Sequence, residues 1–440
     1  MSGPAANELR LTRFHYQVFV ACALVVLIEG YDGAILTYAA PALATALKLD
    51  PATLGPLFAA HLIGMIVGSG PSGPIADRRG RRPTIIGATV LFGVFTLLTA
   101  TATSFTEIFI YRLLVGVGLG AAASNTVALA SEYSPQYCRA RVVASVYSAL
   151  PLGALVGGYV SVLSIRAWGW QSVFLLGGAL GTIALVIELW KIPESIRFLR
   201  AVGAEAQVSR TLARFGLQPH DAAAYAETAS VPATGDSPVK ELFTAGRAFG
   251  TLALWLTFFV NQLLIYFMFA WTPLVFKARG LSSDLGIVAS ATLNLGGVVG
   301  AVCLARLIDK HGARGVLPIA YIAAFLMIAA FGAAAASDPA LVLLSVGLIG
   351  FVLNGSNVNL ASVATSFYPT RARSTGVGWA MGIGRVGAIV GSLVGGVLLR
   401  ARLELSLLYS LAGSVLLFAA LAMWLMSTRA RVLPVQAGLN

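Results

Sequence analysis

Glu29, Asp32, Arg112 and Arg385 stand inside long apolar stretches of the chain, and charge in such surroundings is where chemistry is expected first. An ionised side chain at the centre of a membrane-spanning helix costs roughly 2.5–3.5 kcal/mol, so each must be offset by a partner or a function. In the run Glu29-Gly30-Tyr31-Asp32 the two acids are three residues apart and share a helix face. Two carboxylates that close resist being ionised together, which is the property a proton carrier needs at neutral pH. The alternative is that one or both pair with a neighbouring base and serve only as structure. Arg112 offers such a base. It opens the stripe Arg112, Gly116, Gly120, Ser124, whose glycines allow another helix to approach closely. At 1.5 Å of rise per residue, Asp32 and Arg112 both lie about 10–15 Å below the outer surface, so the two can meet. Arg385 stands near the middle of its own apolar stretch. An anionic solute could supply its missing charge through a bidentate contact, or a fixed carboxylate or helix C-terminus could do so permanently.

The elements that must hold these residues are membrane helices. Hydrophobic residues make up 58% of the 440 and charged residues 11%, with a mean hydropathy of +0.83, outside the range of soluble domains. A spanning helix takes roughly 20 apolar residues, and twelve such runs fit the chain: 16–42, 53–75, 82–103, 106–129, 142–164, 170–191, 248–275, 284–306, 315–336, 339–361, 374–399 and 405–427. Helices are expected because lipid leaves unpaired backbone groups unsatisfied. With the N-terminus inside, 22 of the 30 basic residues fall on the side of the termini and 6 on the other, while Arg112 and Arg385 lie within spans. This asymmetry places both termini in the cytoplasm. It also accounts for the net charge of +12 as a topology signal, with no nucleic acid as partner. The polar start runs straight into a long first span, which reads as an uncleaved N-terminus rather than a secretory signal.

Between the second and third runs lies Gly73-Pro-Ile-Ala-Asp77-Arg78-Arg79-Gly80-Arg81-Arg82. A weaker copy, Ala305-Arg-Leu-Ile-Asp309-Lys310-His-Gly312-Ala-Arg314, follows 232 residues later. Arg139 and Arg141 likewise correspond to Arg371 and Arg373 at the same offset. A tight loop of one acid and several bases, repeated once at half-chain spacing, resembles the signature loop of the major facilitator superfamily. The resemblance implies an all-α membrane protein of twelve transmembrane helices in two pseudo-symmetric six-helix bundles, with the solute site between them near mid-membrane. The bundles would comprise residues 1–192 and 248–440, joined by a polar cytoplasmic linker, 193–247, that holds a possible amphipathic helix near Ala204 to Phe215. The loop residues Gly73, Asp77, Arg78, Gly80, Arg81 and Asp309 are expected to act as a conformational latch, Asp77 accepting hydrogen bonds from a helix N-terminus and pairing with bases.

A narrower resemblance rests on the Glu29-Gly30-Tyr31-Asp32 run followed by Pro41 and on Asn354-Gly355-Ser356-Asn357. It rests also on Tyr368-Pro369-Thr370-x-x-Arg373-x-Thr375-Gly376-Val377-Gly378-Trp379 with Gly384-Arg385-x-Gly387. These are similar to the aromatic acid:proton symporter family, whose members import benzoates, hydroxybenzoates or phenylpropanoates with protons. The family usually has Asp where Glu29 stands, although its hydroxyphenylpropionate carriers are similar to this chain there. Gln is usual in place of Asn357, and Asn359 replaces a typical glycine. The resemblance implies a secondary active transporter of the cell inner membrane working by alternating access as a monomer, with aromatic carboxylate and protons as its partners besides the lipid bilayer. Asp32, Glu29 and Arg112 would couple protons, and Arg385 would hold the substrate carboxylate.

An aromatic acid also needs flat apolar walls with a few polar groups. Tyr31, Tyr38, Phe58, Tyr266, Trp271 and Trp379 are candidates for the walls, and Asn261, Gln262, Asn294 and Asn357 for hydrogen bonding, although each aromatic alone is more often a packing residue. His61 reads as a hydrogen-bonded interior histidine, and Glu132 as one half of an ion pair between loops. Cys22, Cys138 and Cys303 are scattered, so neither a disulfide framework nor a metal site is expected. Four dispersed histidines without a nucleophile–base grouping argue against an enzyme, and no cofactor is implied. Pro193-Glu194-Ser195-x-Arg197-Phe resembles the loop of sugar porters, which keeps a sugar:proton symporter in view. The altered Pro151-Leu-Gly153 with Gly157-Gly158 makes a drug:proton antiporter a weaker alternative.

Overall fold

The computed structural model describes residues 11–135, 137–214, 238–244, 246–278, 280–334, 338–369, 372–401 and 403–429. Residues 215–237 and 245 of the expected linker, together with Arg371, lie outside them. Among the described residues the regular structure is helical: α1 (Arg13–Ala46), α2 (Gly55–Arg79), α3 (Arg81–Thr101), α4 (Phe105–Glu132), α5 (Arg139–Tyr147), α6 (Ala149–Trp168), α7 (Gln171–Lys191), α8 (Ile196–Ala201), α9 (Glu205–Arg214), α10 (Pro238–Glu241), α11 (Ala248–Ala278), α12 (Ser283–His311), α13 (Ala313–Ala334), α14 (Pro339–Phe367), α15 (Arg373–Arg400), α16 (Leu405–Ser414) and α17 (Leu416–Arg429). Among the described residues twelve spans are long and apolar enough to cross a membrane, and they coincide with the twelve runs read from the sequence to within a few residues at most ends.

Two of the expected spans are broken. The fifth divides between α5 and α6 at Ser148. Pro151 explains the place: it has no N–H to donate and its ring crowds the carbonyl four residues back, at Tyr147, where α5 ends. The twelfth divides between α16 and α17 next to the Gly413-Ser414 pair, a combination that commonly kinks helices.

The chain clusters into two compact units, Met1–Leu49 with Ala60–Val231, and Asp50–Ala59 with Pro232–Asn440. Within the first, α2 and α4 press backbone to backbone. A methyl added at Gly64 or Gly68 would stand 2.1 or 2.0 Å from the carbonyls of Leu113 and Val117, and one at Gly116 or Gly120 would meet those of His61 and Met65 at 2.1 and 2.2 Å. In lipid, close packing of this kind replaces the hydrophobic drive that holds soluble helices together. The second unit builds the same seam between α12 and α14, where Gly296 and Gly300 face the carbonyls of Gly347 and Phe351 at 2.0 and 1.9 Å. Gly296 and Gly300 follow Gly64 and Gly68 by 232 residues, the offset of the loop repeat. Gly80 and Gly312, also 232 apart, both take positive φ, 98° and 79°, at the tight turns before α3 and α13.

Candidate functional site

The glycine seam decides what faces what in the first unit. With α2 drawn against α4, His61 is carried to Arg112, and α1 brings Asp32 to the same guanidinium. Arg112 Nη1 lies 3.4 Å from Asp32 Oδ2 in an ion pair whose side chains are both wholly buried. Its Nη2 donates to the backbone carbonyl of Asp32 at 2.9 Å and approaches His61 Nδ1 at 3.5 Å. Thr96 of α3 donates to the other carboxylate oxygen at 2.8 Å, and the guanidinium lies over the Phe174 ring at 5.9 Å. A guanidinium only donates, so His61 meets it with the lone pair of Nδ1 and carries its hydrogen on Nε2. Four helices and α7 thus converge on one buried charge pair. Such a pair is held by geometry, since removing one partner of a buried pair costs about 3–5 kcal/mol.

Glu29 is also buried, but it does not join this pair. Neither of its carboxyl oxygens has a hydrogen-bond partner among the described residues. Asp32 is committed to Arg112 and Thr96, whereas the acid whose charge bears on Glu29 is Glu188 of α7. Glu188 is fully buried, accepts a 2.6 Å hydrogen bond from Thr89 of α3, and leaves its second oxygen without a partner. Tyr31 and Tyr38 are buried in helix packing: the Tyr31 hydroxyl donates to Val173 O at 3.0 Å and that of Tyr38 to Ala154 O at 2.8 Å.

The signature loop is organised from across the base-rich end of the same unit. Glu194, just after α7, accepts from the backbone N–H groups of Arg81 and Arg82 at 2.7 and 3.2 Å, capping the first turn of α3. The Arg81 side chain pairs with Glu132 at 2.7 Å, and Ser195 donates to the other Glu132 oxygen at 2.6 Å. A side chain at Gly80 would strike the Glu194 carboxyl at 2.3 Å, and φ there already excludes most residues. Asp77, Arg78 and Asp309 are exposed, and no side-chain partner of Asp77 occurs among the described residues. Around Gly73 there is open space.

In the second unit, Arg385 stands twelve residues into α15, about 18 Å from its start at 1.5 Å per residue, and is exposed on the surface of that unit. Asn357 stands ten residues before the end of α14, about 15 Å along. Since α14 ends six residues before α15 begins, the two side chains occupy nearly the same level. Asn261, thirteen residues into α11, is fully buried with both amide atoms unpartnered among the described residues. Gln262 comes within 3.2 Å of where a Gly384 methyl would be, next to Arg385. Trp379 lies about 9 Å closer to the start of α15 than Arg385. There it stacks on Trp255 of α11 at 5.7 Å and 19°, while Phe243 meets the other ring edge-on at 5.6 Å. Trp271 is buried, donates from Nε1 to Ser392 O at 2.8 Å, and takes Phe58 edge-on at 5.7 Å. Asn294 and Asn354 spend their amides on backbone carbonyls, Ser290 O at 3.3 Å and Leu293 O at 3.2 Å.

Sequence reasoning passed over Glu188 and Thr96, and read Glu194 only as part of a loop like that of sugar porters. Glu188 could have been noticed as an acid inside the 170–191 run, but three residues from Lys191 it looks like part of the polar end. Thr96 carries no signal, since a threonine in a span ordinarily bonds its own helix.

Comparison with known proteins agrees with this architecture. The profile of the Major Facilitator Superfamily matches residues 22–327 and 283–439, and the chain belongs to that superfamily of membrane transport proteins. Among its relatives are aromatic-acid carriers. It is 37% identical to the gallate transporter of Pseudomonas putida over 414 residues, 94% of this chain and 92% of the relative. It is 36% identical to the 4-hydroxybenzoate transporter PcaK of Pseudomonas putida, over 89% of this chain and 88% of the relative. It is 31% identical to the 3-(3-hydroxy-phenyl)propionate transporter of Escherichia coli, over 94% of each. A crystal structure of a D-xylose-proton symporter shares the fold with a TM-score of 0.74 at 19% identity, over 93% of this chain and 97% of that one.

Proposed function

We propose that this chain imports aromatic carboxylic acids by proton symport through alternating access, as a multi-pass protein of the cell inner membrane with both termini cytoplasmic. The observation that carries the coupling is the buried Asp32–Arg112 pair. Protonating Asp32 cancels the pair's acid, yet the guanidinium keeps the Asp32 carbonyl and His61 Nδ1 as acceptors. The proton can therefore load without stranding a bare cation in the bundle. The gallate, 4-hydroxybenzoate and 3-(3-hydroxy-phenyl)propionate transporters among this chain's relatives support the substrate class.

Arg385 holds the substrate carboxylate in this reading, with Asn357 at its level for the ring substituents and Trp379 further along α15. Gly73, Asp77, Arg78, Gly80, Arg81 and Asp309 serve the conformational change rather than the solute. Residues 1–192 and 248–440 form the two halves, joined by 193–247, and a monomer is the working unit. Glu194 and Ser195, the residues that suggest a sugar porter, are occupied in fixing the loop around Gly80. That structural duty accounts for the motif without a sugar.

The test is counterflow and uphill uptake in proteoliposomes. Labelled hydroxybenzoates should exchange where labelled sugars do not, and a proton gradient should drive accumulation. Asp32→Asn, which keeps one of the two side-chain acceptor oxygens and the backbone carbonyl that Arg112 bonds, should leave folded protein in the membrane but abolish accumulation. Undiminished uphill uptake by this variant removes Asp32 from the coupling role.

A further inference from the structure

Glu29 and Glu188 are two acids inside the first unit that the Asp32–Arg112 pair leaves unexplained. Glu29 is 4% exposed and Glu188 not at all. Three of their four carboxyl oxygens have no hydrogen-bond partner among the described residues; the fourth accepts from Thr89. The groups that bear on Glu188 can be named element by element. α1 packs along α7 and contributes Glu29 and Cys22, two turns apart on one face, both of which sense the charge of Glu188. From α3 come Thr89 and, at the helix end, Arg82, which donates to the Leu189 carbonyl at 2.6 Å instead of to the acid. The one base of α6, Arg166, stands in that helix's last turn, at the opposite end from the start of α6 and the end of α7. Among the described residues no base is paired with either acid, and Lys191, three residues further along α7, is exposed.

A buried acid pair without a base accommodates at most one negative charge, and the vacant oxygens are where a proton sits. The two acids are also ordered along the membrane. Glu29 is three residues, about 4.5 Å, closer to the cytoplasmic end of α1 than Asp32 is. Glu188 is three residues, again about 4.5 Å, from the cytoplasmic end of α7.

We propose that Glu29 and Glu188 form an inner proton station, through which the proton carried on Glu29 is exchanged with the cytoplasm by way of Glu188. Each carboxyl gains an O–H bond and loses it again, so the relay consumes no co-reactant and returns both acids to their starting state. Thr89 holds Glu188 by one oxygen and leaves the other open to the proton. The inference rests on the proton symport and the orientation proposed above.

The experiment measures initial uptake of labelled 4-hydroxybenzoate into right-side-out membrane vesicles, varying inner and outer pH separately. In the wild type, raising inner pH accelerates uptake, with a midpoint set by proton release. Glu188→Gln should flatten or displace that inner-pH profile while the outer-pH profile keeps its midpoint, and Glu188→Asp should restore it. A purely structural role would scale the rate and leave both midpoints in place. An inner-pH profile of Glu188→Gln superimposable on that of the wild type overturns the proposal. If Glu188→Gln does not reach the membrane, Thr89→Val answers instead: it keeps the carboxyl but frees its held oxygen, so the inner midpoint should move, and an unmoved midpoint overturns the proposal. Collapse of the proton gradient separates the two readings. Wild-type accumulation that persists without a proton gradient defeats the symport reading itself, whereas gradient-driven accumulation with wild-type behaviour in Glu188→Gln and Thr89→Val defeats only the inner station.

Discussion

At the scale of single residues, the same physics makes Arg112 and Arg385 different. Both are cations in spans, but Arg112 is enclosed with its own acid, whereas Arg385 is exposed on the surface of its unit. Arg112 is therefore a fixed part of the bundle, and Arg385 is the arginine we propose for the substrate carboxylate. Arg385→Lys keeps the charge and loses the planar fork, so binding of an aromatic acid should weaken by about tenfold or more, roughly 1.4 kcal/mol. Titration of purified wild type and variant with 4-hydroxybenzoate decides the matter, and equal constants would remove Arg385 from the binding role. The meeting of Asp32 with Arg112 was legible in the sequence because helical rise alone sets their depth. The separation of Glu29 from Asp32 was not: a shared helix face says which way both acids point, and only packing says that Thr96 of α3 and Arg112 of α4 bind one and leave the other without a hydrogen bond among the described residues.

At the scale of helices, glycine placement does what hydropathy cannot. Twelve apolar runs were readable because a bilayer demands length and composition, yet the runs say nothing about which helices touch. The seams do. Gly68→Ala would drive a methyl to 2.0 Å from Val117 O, while Gly70, two residues on, faces open space. Gly68→Ala should cost about 1–3 kcal/mol of stability, seen as a lowered Tm in detergent, and Gly70→Ala should leave Tm unchanged. Equal effects of the two substitutions would mean that α2 and α4 are not packed along this seam. The broken fifth span was legible in principle through Pro151. The run reading missed it because a proline lowers hydropathy too little to end an apolar window.

At the scale of the whole chain, one offset of 232 residues recurs in the loop motif, in the seam glycines Gly64 and Gly68 with Gly296 and Gly300, and in the turn glycines Gly80 and Gly312. The halves nevertheless differ in chemistry: among the described residues the buried ion pair and the unpaired acids lie in the first, the exposed arginine and the unpartnered Asn261 in the second. The repeat was visible in the loop because its residues are charged and rare, and invisible in the seams because glycine is common in all spans. Asp77 is exposed beside a loop fixed by Glu194, and we propose that it takes part in the change of conformation. Asp77→Asn should slow transport at saturating substrate with little change in affinity. A large loss of affinity with normal turnover contradicts that assignment.

The buried pair also has a history within each molecule's synthesis. Eighty residues separate Asp32 from Arg112, and at roughly 5–20 residues per second of elongation the acid precedes its base by on the order of 4–16 s. Throughout that interval the first span holds both acids without the arginine that later pairs with Asp32, so charge there costs roughly 2.5–3.5 kcal/mol per group unless a proton is taken up. A chain cut short before residue 112 should therefore insert with Asp32 neutral, and the ion pair forms only once the fourth span has entered.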